Sequence, residues 1–228
     1  MKTSYILLAI VAVMALTGMV ATDVLLKQQY DKIDWTNPYQ EFEHRALPTA
    51  KHIRIEAAPV AEIIVEPSTD TTQVSLLPSM ANSYRARLHN DTLFISFLMN
   101  YDGNVRNPHN DIGSELPPGM VLRLPDLQSL YITNGRLTVR KFKSEKLAIS
   151  IQNSRLRTNK LDVLNLFDLT VRNNSFAELG PDHYQSLHTI AHDSSGVQLN
   201  NTQINAFNKE LSPQAEIYLR GQAMKWLK

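Results

Sequence analysis

The chain has 228 residues, with 23 basic and 22 acidic side chains and a formal net charge of +1. That balance lacks the basic excess of a nucleic-acid binder, so no nucleic-acid partner is expected. There is no cysteine, which excludes thiolate metal sites, cysteine nucleophiles, disulfides and a lipid-bearing cysteine anchor. An exported chain without disulfides points to a bacterial envelope.

Lys2 precedes an apolar run from Tyr5 to Ala21, which Val24, Leu25 and Leu26 extend. Two readings compete. A cleaved signal peptide needs small residues at −3 and −1 of the cut. Met19-Val20-Ala21 is bulky at −3, and Ala15-Leu16-Thr17 ends on Thr. An uncleaved anchor needs about 20 mostly apolar residues, and Tyr5 to Leu26 supplies them. Residues 1–26 are therefore read as a membrane anchor or signal segment, with the N-terminus inside and the remainder extracytoplasmic, periplasmic or at the cell surface. Basic residues flank the segment on both sides, so they decide the orientation weakly.

Residues 27–50 are polar, with Tyr30, Trp35, Tyr39 and Phe42 spaced through them, and Asp34-Trp35-Thr36-Asn37-Pro38 breaks any helix. They read as a stalk. After Pro48 the pattern turns to period two. His52-Ile53-Arg54-Ile55-Glu56 and Glu62-Ile63-Ile64-Val65-Glu66 alternate, and Tyr84–Leu88 and Thr92–Phe97 flank His89-Asn90-Asp91. The last arrangement predicts a hairpin, because Asn and Asp tolerate the left-handed turn. Residues 100–118 read as a long loop.

From Leu122 the chain repeats. Leu130-Tyr131-Ile132-Thr133-Asn134, Ile149-Ser150-Ile151-Gln152-Asn153 and Leu169-Thr170-Val171-Arg172-Asn173 recur about every 20 residues, followed by Thr189–Asp193, and each unit continues into a second short strand. Such a period means a solenoid. The predicted fold is all-β: a single-stack parallel β-helix of about 20 residues per coil, preceded by a β-hairpin region and an N-terminal transmembrane helix. Stacked coils would form columns of Leu130, Ile149 and Leu169; of Ile132, Ile151 and Val171; and of Leu137, Leu156 and Phe176. Asn134, Asn153 and Asn173 would form an inward ladder at a bend, with His192 or Asp193 next in line. Residues 51–221 form the β-helical domain. Ile217-Tyr218-Leu219 is its last strand, and residues 222–228 are a C-terminal cap in which Met224, Trp226 and Leu227 lid the final coil.

The opening strand at His52–Ile55, the Glu62–Pro67 segment, the Tyr84–Phe97 hairpin and the Leu-x-Ile-x-Asn coils together resemble the GIN domain family of autotransporter adhesin head domains. The likeness spans roughly Lys51 to Arg220 and is one of pattern and order. It implies a β-helical extracytoplasmic domain with a role in adhesion or surface scaffolding, and it supplies no active residues. The chain departs from the family in having only 8 glycines and an N-terminal segment with no clear cleavage site.

No catalytic residues, cofactor or metal site are assigned. A β-helical polysaccharide lyase would need clustered carboxylates. Asp102, Asp111 and Glu115 in the long loop, and Asp182, His183, His188, His192 and Asp193 near the fourth coil, are the residues to watch. His188 and His192 share a strand face, and a metal there would need a third ligand. The basic stretch from Arg136 to Lys160 is more informative. Arg136 and Arg155 are one coil apart, as are Lys141 and Lys160, so each pair would stack. Those four form a candidate anion-binding stripe for an anionic surface polymer. The expected function is a non-catalytic, envelope-anchored scaffold for adhesion or polymer binding. The alternatives are a lyase-type carbohydrate-active enzyme and an extracytoplasmic accessory or sensor subunit of a membrane protein complex.

Overall fold

A computed structural model describes residues 2–35, 37–56, 61–98 and 116–227. The chain divides into two compact units, Met1–Glu41 and Phe42–Lys228.

The first unit is dominated by helix α1 (Lys2–Tyr30), which at 1.5 Å per residue is about 44 Å long. Its stretch from Tyr5 to Tyr30 is long and apolar enough to cross a membrane, with a mean hydropathy of 2.3. Two of its threonines bond back to the helix. Thr17 Oγ1 donates to Val13 O (2.8 Å), and Thr22 Oγ1 donates to Gly18 O (2.8 Å). These back-bonds satisfy the side chains within the helix. After the helix, Tyr30 and Trp35 pack ring to ring at 5.5 Å, and Asn37 Oδ1 accepts from Tyr39 N (3.0 Å).

The second unit is built from strands β1 (Glu43–Ala46), β2 (His52–Glu56), β3 (Glu62–Pro67) and β4 (Gln73–Leu76), a single helical turn at Pro78–Ala81, β5 (Tyr84–His89), β6 (Thr92–Phe97), β7 (Pro118–Leu124), β8 (Ser129–Thr133), β9 (Arg136–Arg140), β10 (Lys143–Gln152), β11 (Arg155–Asn159), β12 (Asp162–Arg172), β13 (Phe176–Leu179), β14 (His183–Ala191), β15 (Gly196–Asn200), β16 (Gln203–Leu211), β17 (Glu216–Arg220) and a closing 3₁₀ turn at Gly221–Leu227. From β8 onward each coil adds one strand to each of two sheets, giving five coils and a parallel solenoid.

The predicted hairpin is present. β5 and β6 pair antiparallel, with Asn90 and Asp91 at φ 47 and 60 in the turn. Its second strand then runs parallel to β2, which runs parallel to β8. The residues from His52 to Phe97 thus extend the stack at its N-terminal end. β1 and β4 add antiparallel strands to the edge of the other sheet, so β1, within the stretch read as stalk, is part of this sheet.

Two of the three predicted columns hold their register. Leu130, Ile149 and Leu169 are cross-strand partners, as are Ile132, Ile151 and Val171, and all six are buried. The third column is corrected. Leu137 and Leu156 are followed by Ala177, and Phe176 pairs with Arg155. The cause is one extra residue at the bend. Asn173 and Asn174 both adopt positive φ, where the two preceding coils have only Asn134 and Asn153. One inserted residue shifts the phase of the period-two pattern by one position.

The bend itself is also corrected. Asn134 and Asn153 are linked by a side-chain bond of 2.7 Å, but this ladder faces outward. The inward positions belong to serine. Gly135 N donates to Ser154 Oγ, Ser154 N to Ser175 Oγ, and Ser175 N to Ser195 Oγ, at 3.0 to 3.2 Å. A small side chain with an acceptor fits a tight corner and satisfies a backbone N–H that would otherwise be buried unpaired. The ambiguity at the fourth coil resolves to Asp193, which has φ 57 and accepts from Asn173 N.

The long strands β10 and β12 carry a register irregularity in their first half, between Ser144 and Lys146 and between Val163 and Leu166. β16 is largely exposed and polar, which leaves no alternating signal in its sequence. The final turn buries Ala223 and sets Trp226 edge-on to Phe207 at 6.0 Å.

Candidate functional site

Period-two alternation sends every second residue of the short strands outward. On the nine-stranded sheet these outward residues form three rows across the coils. One row reads Glu62, Arg136, Arg155, Phe176. The next reads Ile64, Thr138, Arg157, Glu178, Gln198. The third places Arg140 beside Asn159. This face carries Arg123, Arg136, Arg140, Arg155 and Arg157 together with Glu62, Glu66 and Glu178.

One of the two pairs expected to stack is in register. Arg136 and Arg155 are cross-strand partners. Lys141 and Lys160 stand together at the next bend with φ 63 and 58, and Lys141 N donates to Asn159 O (2.9 Å). The two pairs lie at opposite ends of the same two strands, about 17 Å apart along the chain. Lys143 and Lys146 are not on this face. They belong to the long strand β10, and Lys143 pairs with Asp162 at 3.4 Å.

Charge compensation comes from distant chain segments. Glu66 Oε2 accepts from Arg140 Nη2 (2.7 Å), and its Oε1 accepts from Arg123 Nε (2.9 Å). Burial raises the Glu66 carboxyl, but the bonds and charges of Arg140 and Arg123 outweigh it and hold the group below its ordinary value. Glu178 lies 3.5 Å from Arg155 and 3.4 Å from Arg157. Arg155 is only 4% exposed and its guanidinium lies over the Phe176 ring at 6.0 Å. Burial, then the neighbouring Arg157, push it below its ordinary value, and Glu178 opposes them. Arg155 is thus a partly structural cation, whereas Lys141 and Lys160 are exposed.

A groove of about 530 Å³ runs over this face, with Arg140, Arg157, Glu62, Glu178, Asn159 and Asn200 among its lining residues. Polar contacts fix the lining. Thr138 Oγ1 donates to Glu62 Oε1 (2.5 Å), Asn200 Nδ2 donates to Glu178 Oε1 (2.8 Å), and Gln198 Nε2 donates to Asn200 Oδ1 (3.0 Å). Reading the basic stretch alone misses Glu62, Glu66, Glu178 and Arg123. The signal available for the first two is their outward phase in an alternating strand.

Beneath the groove lies a buried carboxylate. Asp182, 2% exposed, accepts from Leu161 N (2.9 Å), from Tyr184 Oη (2.8 Å) and from Thr158 Oγ1. Burial pushes its carboxyl above the ordinary value, against those three bonds. It occupies an inward corner position that Leu161 and Thr202 fill in adjacent coils, as the pairing of Asp162, His183 and Gln203 one residue later requires.

The histidines do not gather. His183 Nδ1 meets Asp162 Oδ1 at 3.1 Å, His188 sits between Asp168 (3.0 Å) and Glu210 (3.3 Å), and Asp193 bonds the bend. Their partners are one coil away rather than neighbours in sequence. Among the described residues no group of three His, Asp or Glu side chains is placed to hold a metal. Asp102, Asp111 and Glu115 lie outside the described residues.

No protein-family model matches the sequence, and no curated protein matches it. Solved structures similar to it include a candidate lipid-binding protein from Parabacteroides distasonis, at 11% identity and a TM-score of 0.37, covering 80% of this chain and 96% of that one. A candidate adhesin from Bacteroides fragilis has 12% identity and a TM-score of 0.35, covering 80% and 99%. A candidate cell adhesion protein from Clostridium sporogenes has 8% identity and a TM-score of 0.29, covering 78% and 99%.

Proposed function

We propose that this chain is a non-catalytic, GIN-like solenoid, anchored in the cell envelope by α1 with its C-terminal unit outside the cytoplasm, that binds an anionic surface polymer. The observation that carries the reading is the face on which Arg123, Arg136, Arg140, Arg155 and Arg157 stand against Glu62, Glu66 and Glu178, with Lys141 and Lys160 at its end. Arg136 and Arg155 stand directly opposite each other as cross-strand partners, an arrangement that is unfavourable without compensating charge. The three glutamates offset part of it and leave the face net positive. A polymer with negative charges would complete the compensation.

Replacing Arg136, Lys141 and Lys160 with Gln tests the reading. Binding to an anionic glycan should weaken and become less dependent on salt, and unchanged binding rejects it. Arg155→Gln is measured separately alongside a thermal melt, because Arg155 is buried. For the anchor, fractionation of cells expressing the full chain should place it with membranes, and protease added outside should remove the C-terminal unit. Recovery in the cytosol would reject the location.

A further inference from the structure

The groove on the nine-stranded sheet points to a chemical class of polymer. We propose that it takes a polysaccharide bearing uronic acids, whose carboxylates meet Arg140 and Arg157 and whose hydroxyls meet Glu62, Glu178 and the amides of Asn159 and Asn200. The proposal rests on the reading that this face binds an anionic polymer.

The groove's mixed lining makes the distinction. A uniformly charged chain, such as a polyphosphate, or a surface of phospholipid headgroups would bring negative charge against Glu62 and Glu178, both of which line the groove. Like charges brought together there cost binding energy. A saccharide chain carries isolated carboxylates between neutral hydroxyls. Carboxylates of the protein accept bonds from hydroxyls, and planar guanidiniums donate to carboxylates in bidentate fashion. Ile64, Leu116, Pro118 and Pro181, also in the lining, offer apolar surface to the C–H face of a sugar ring.

The polar groups are held before any ligand arrives. Glu66 holds Arg140 at 2.7 Å, Glu178 holds Arg157 at 3.4 Å, and Asn200 holds Glu178 at 2.8 Å. A site already ordered loses little side-chain freedom on binding. Gly180 also lines the groove, where β13 passes close to the backbone of the neighbouring coil. A Cβ there would lie 2.5 Å from the Thr158 carbonyl oxygen, so the position admits no side chain without moving backbone. The lining crosses successive strands from β3 to β15, about 19 Å along the stack, which suits several sugars of an extended chain.

The test uses the full chain in a neutral detergent and isothermal titration with four probes: oligogalacturonate, its methyl ester, inorganic polyphosphate, and glycerophosphoglycerol, the soluble headgroup of phosphatidylglycerol. Oligogalacturonate should bind, and esterification, which removes the charge and keeps the hydroxyls, should weaken binding about tenfold or more. Glu62→Gln separates the classes by sign. The amide still accepts from Thr138, so the fold is kept, which a melt verifies. The variant should weaken oligogalacturonate binding by several-fold and leave polyphosphate binding equal or stronger. If polyphosphate or the lipid headgroup binds more tightly than oligogalacturonate, and Glu62→Gln strengthens every anion, the saccharide assignment falls while the anionic-face reading stands. If no anion binds, both fall.

Discussion

Asn153 donates its side-chain amide to Asn134 Oδ1 across one coil step, at 2.7 Å, on the outside of the solenoid. Directly behind that bond Ser154 Oγ takes the N–H of Gly135 on the inside. The same bend therefore carries two ladders, and they differ in what they do for stability.

Removing an inner rung should cost more than removing an outer one. Ser175→Ala leaves the buried Ser154 N–H without its acceptor, a loss of about 1–3 kcal/mol. Asn153→Gly keeps the positive φ of 45 and removes a surface bond, so the change should stay within about 0.5 kcal/mol. Urea unfolding of both variants measures the contrast. Equal losses would mean that the outer ladder carries the bend.

Thr189 interrupts an apolar column. It pairs with Leu169, is fully buried, and its hydroxyl has no hydrogen-bond partner among the described residues. Thr189→Val keeps the shape and removes the unpaired group. It should stabilise the protein by about 1 kcal/mol, read as a rise in urea midpoint at constant m-value.

Ala177 marks the true register of the third column. It stands between Leu156 and Val197, fully buried. Ala177→Leu forces a larger group into a closed space and should cost about 1–3 kcal/mol. A neutral result would restore Phe176 to that column.

Two carboxylates respond to acid in opposite directions. Burial raises Asp182 in the folded state, so the folded protein binds that proton more readily. Its contribution to stability falls as pH rises from the unfolded value through the folded one. Asp182→Asn should match the parent near about pH 3 and gain on it as pH rises through and above the ordinary carboxylate range. Glu66, held low by Arg140 and Arg123 against burial, stabilises above its unfolded value and loses that contribution as pH falls through the folded one. The cost of Glu66→Gln should therefore vanish in acid. Unfolding curves across pH give both slopes, and parallel slopes would contradict the assignment.

The terminal turn acts as a lid. Trp226 packs against Phe207 and is partly buried. Trp226→Ala should lower stability by about 1–3 kcal/mol and increase self-association, because it uncovers the last coil. Thermal melts and light scattering together check this.

The repeat rhythm, the hairpin turn at Asn90-Asp91, two apolar columns and the apolar N-terminal segment could be read directly from the order of residues. Each depends on local chemistry: alternation within a strand, the left-handed tolerance of Asn and Asp, and hydropathy over one helix length. Tertiary structure decided the phase at each bend, because a single added residue at Asn174 exchanges inward and outward positions downstream. It also decided the partners of the arginines. Glu66 and Arg140 are 74 residues apart and meet only because β3 stacks directly on β9. Side chains brought together by stacking, rather than by sequence proximity, leave no local pattern to read.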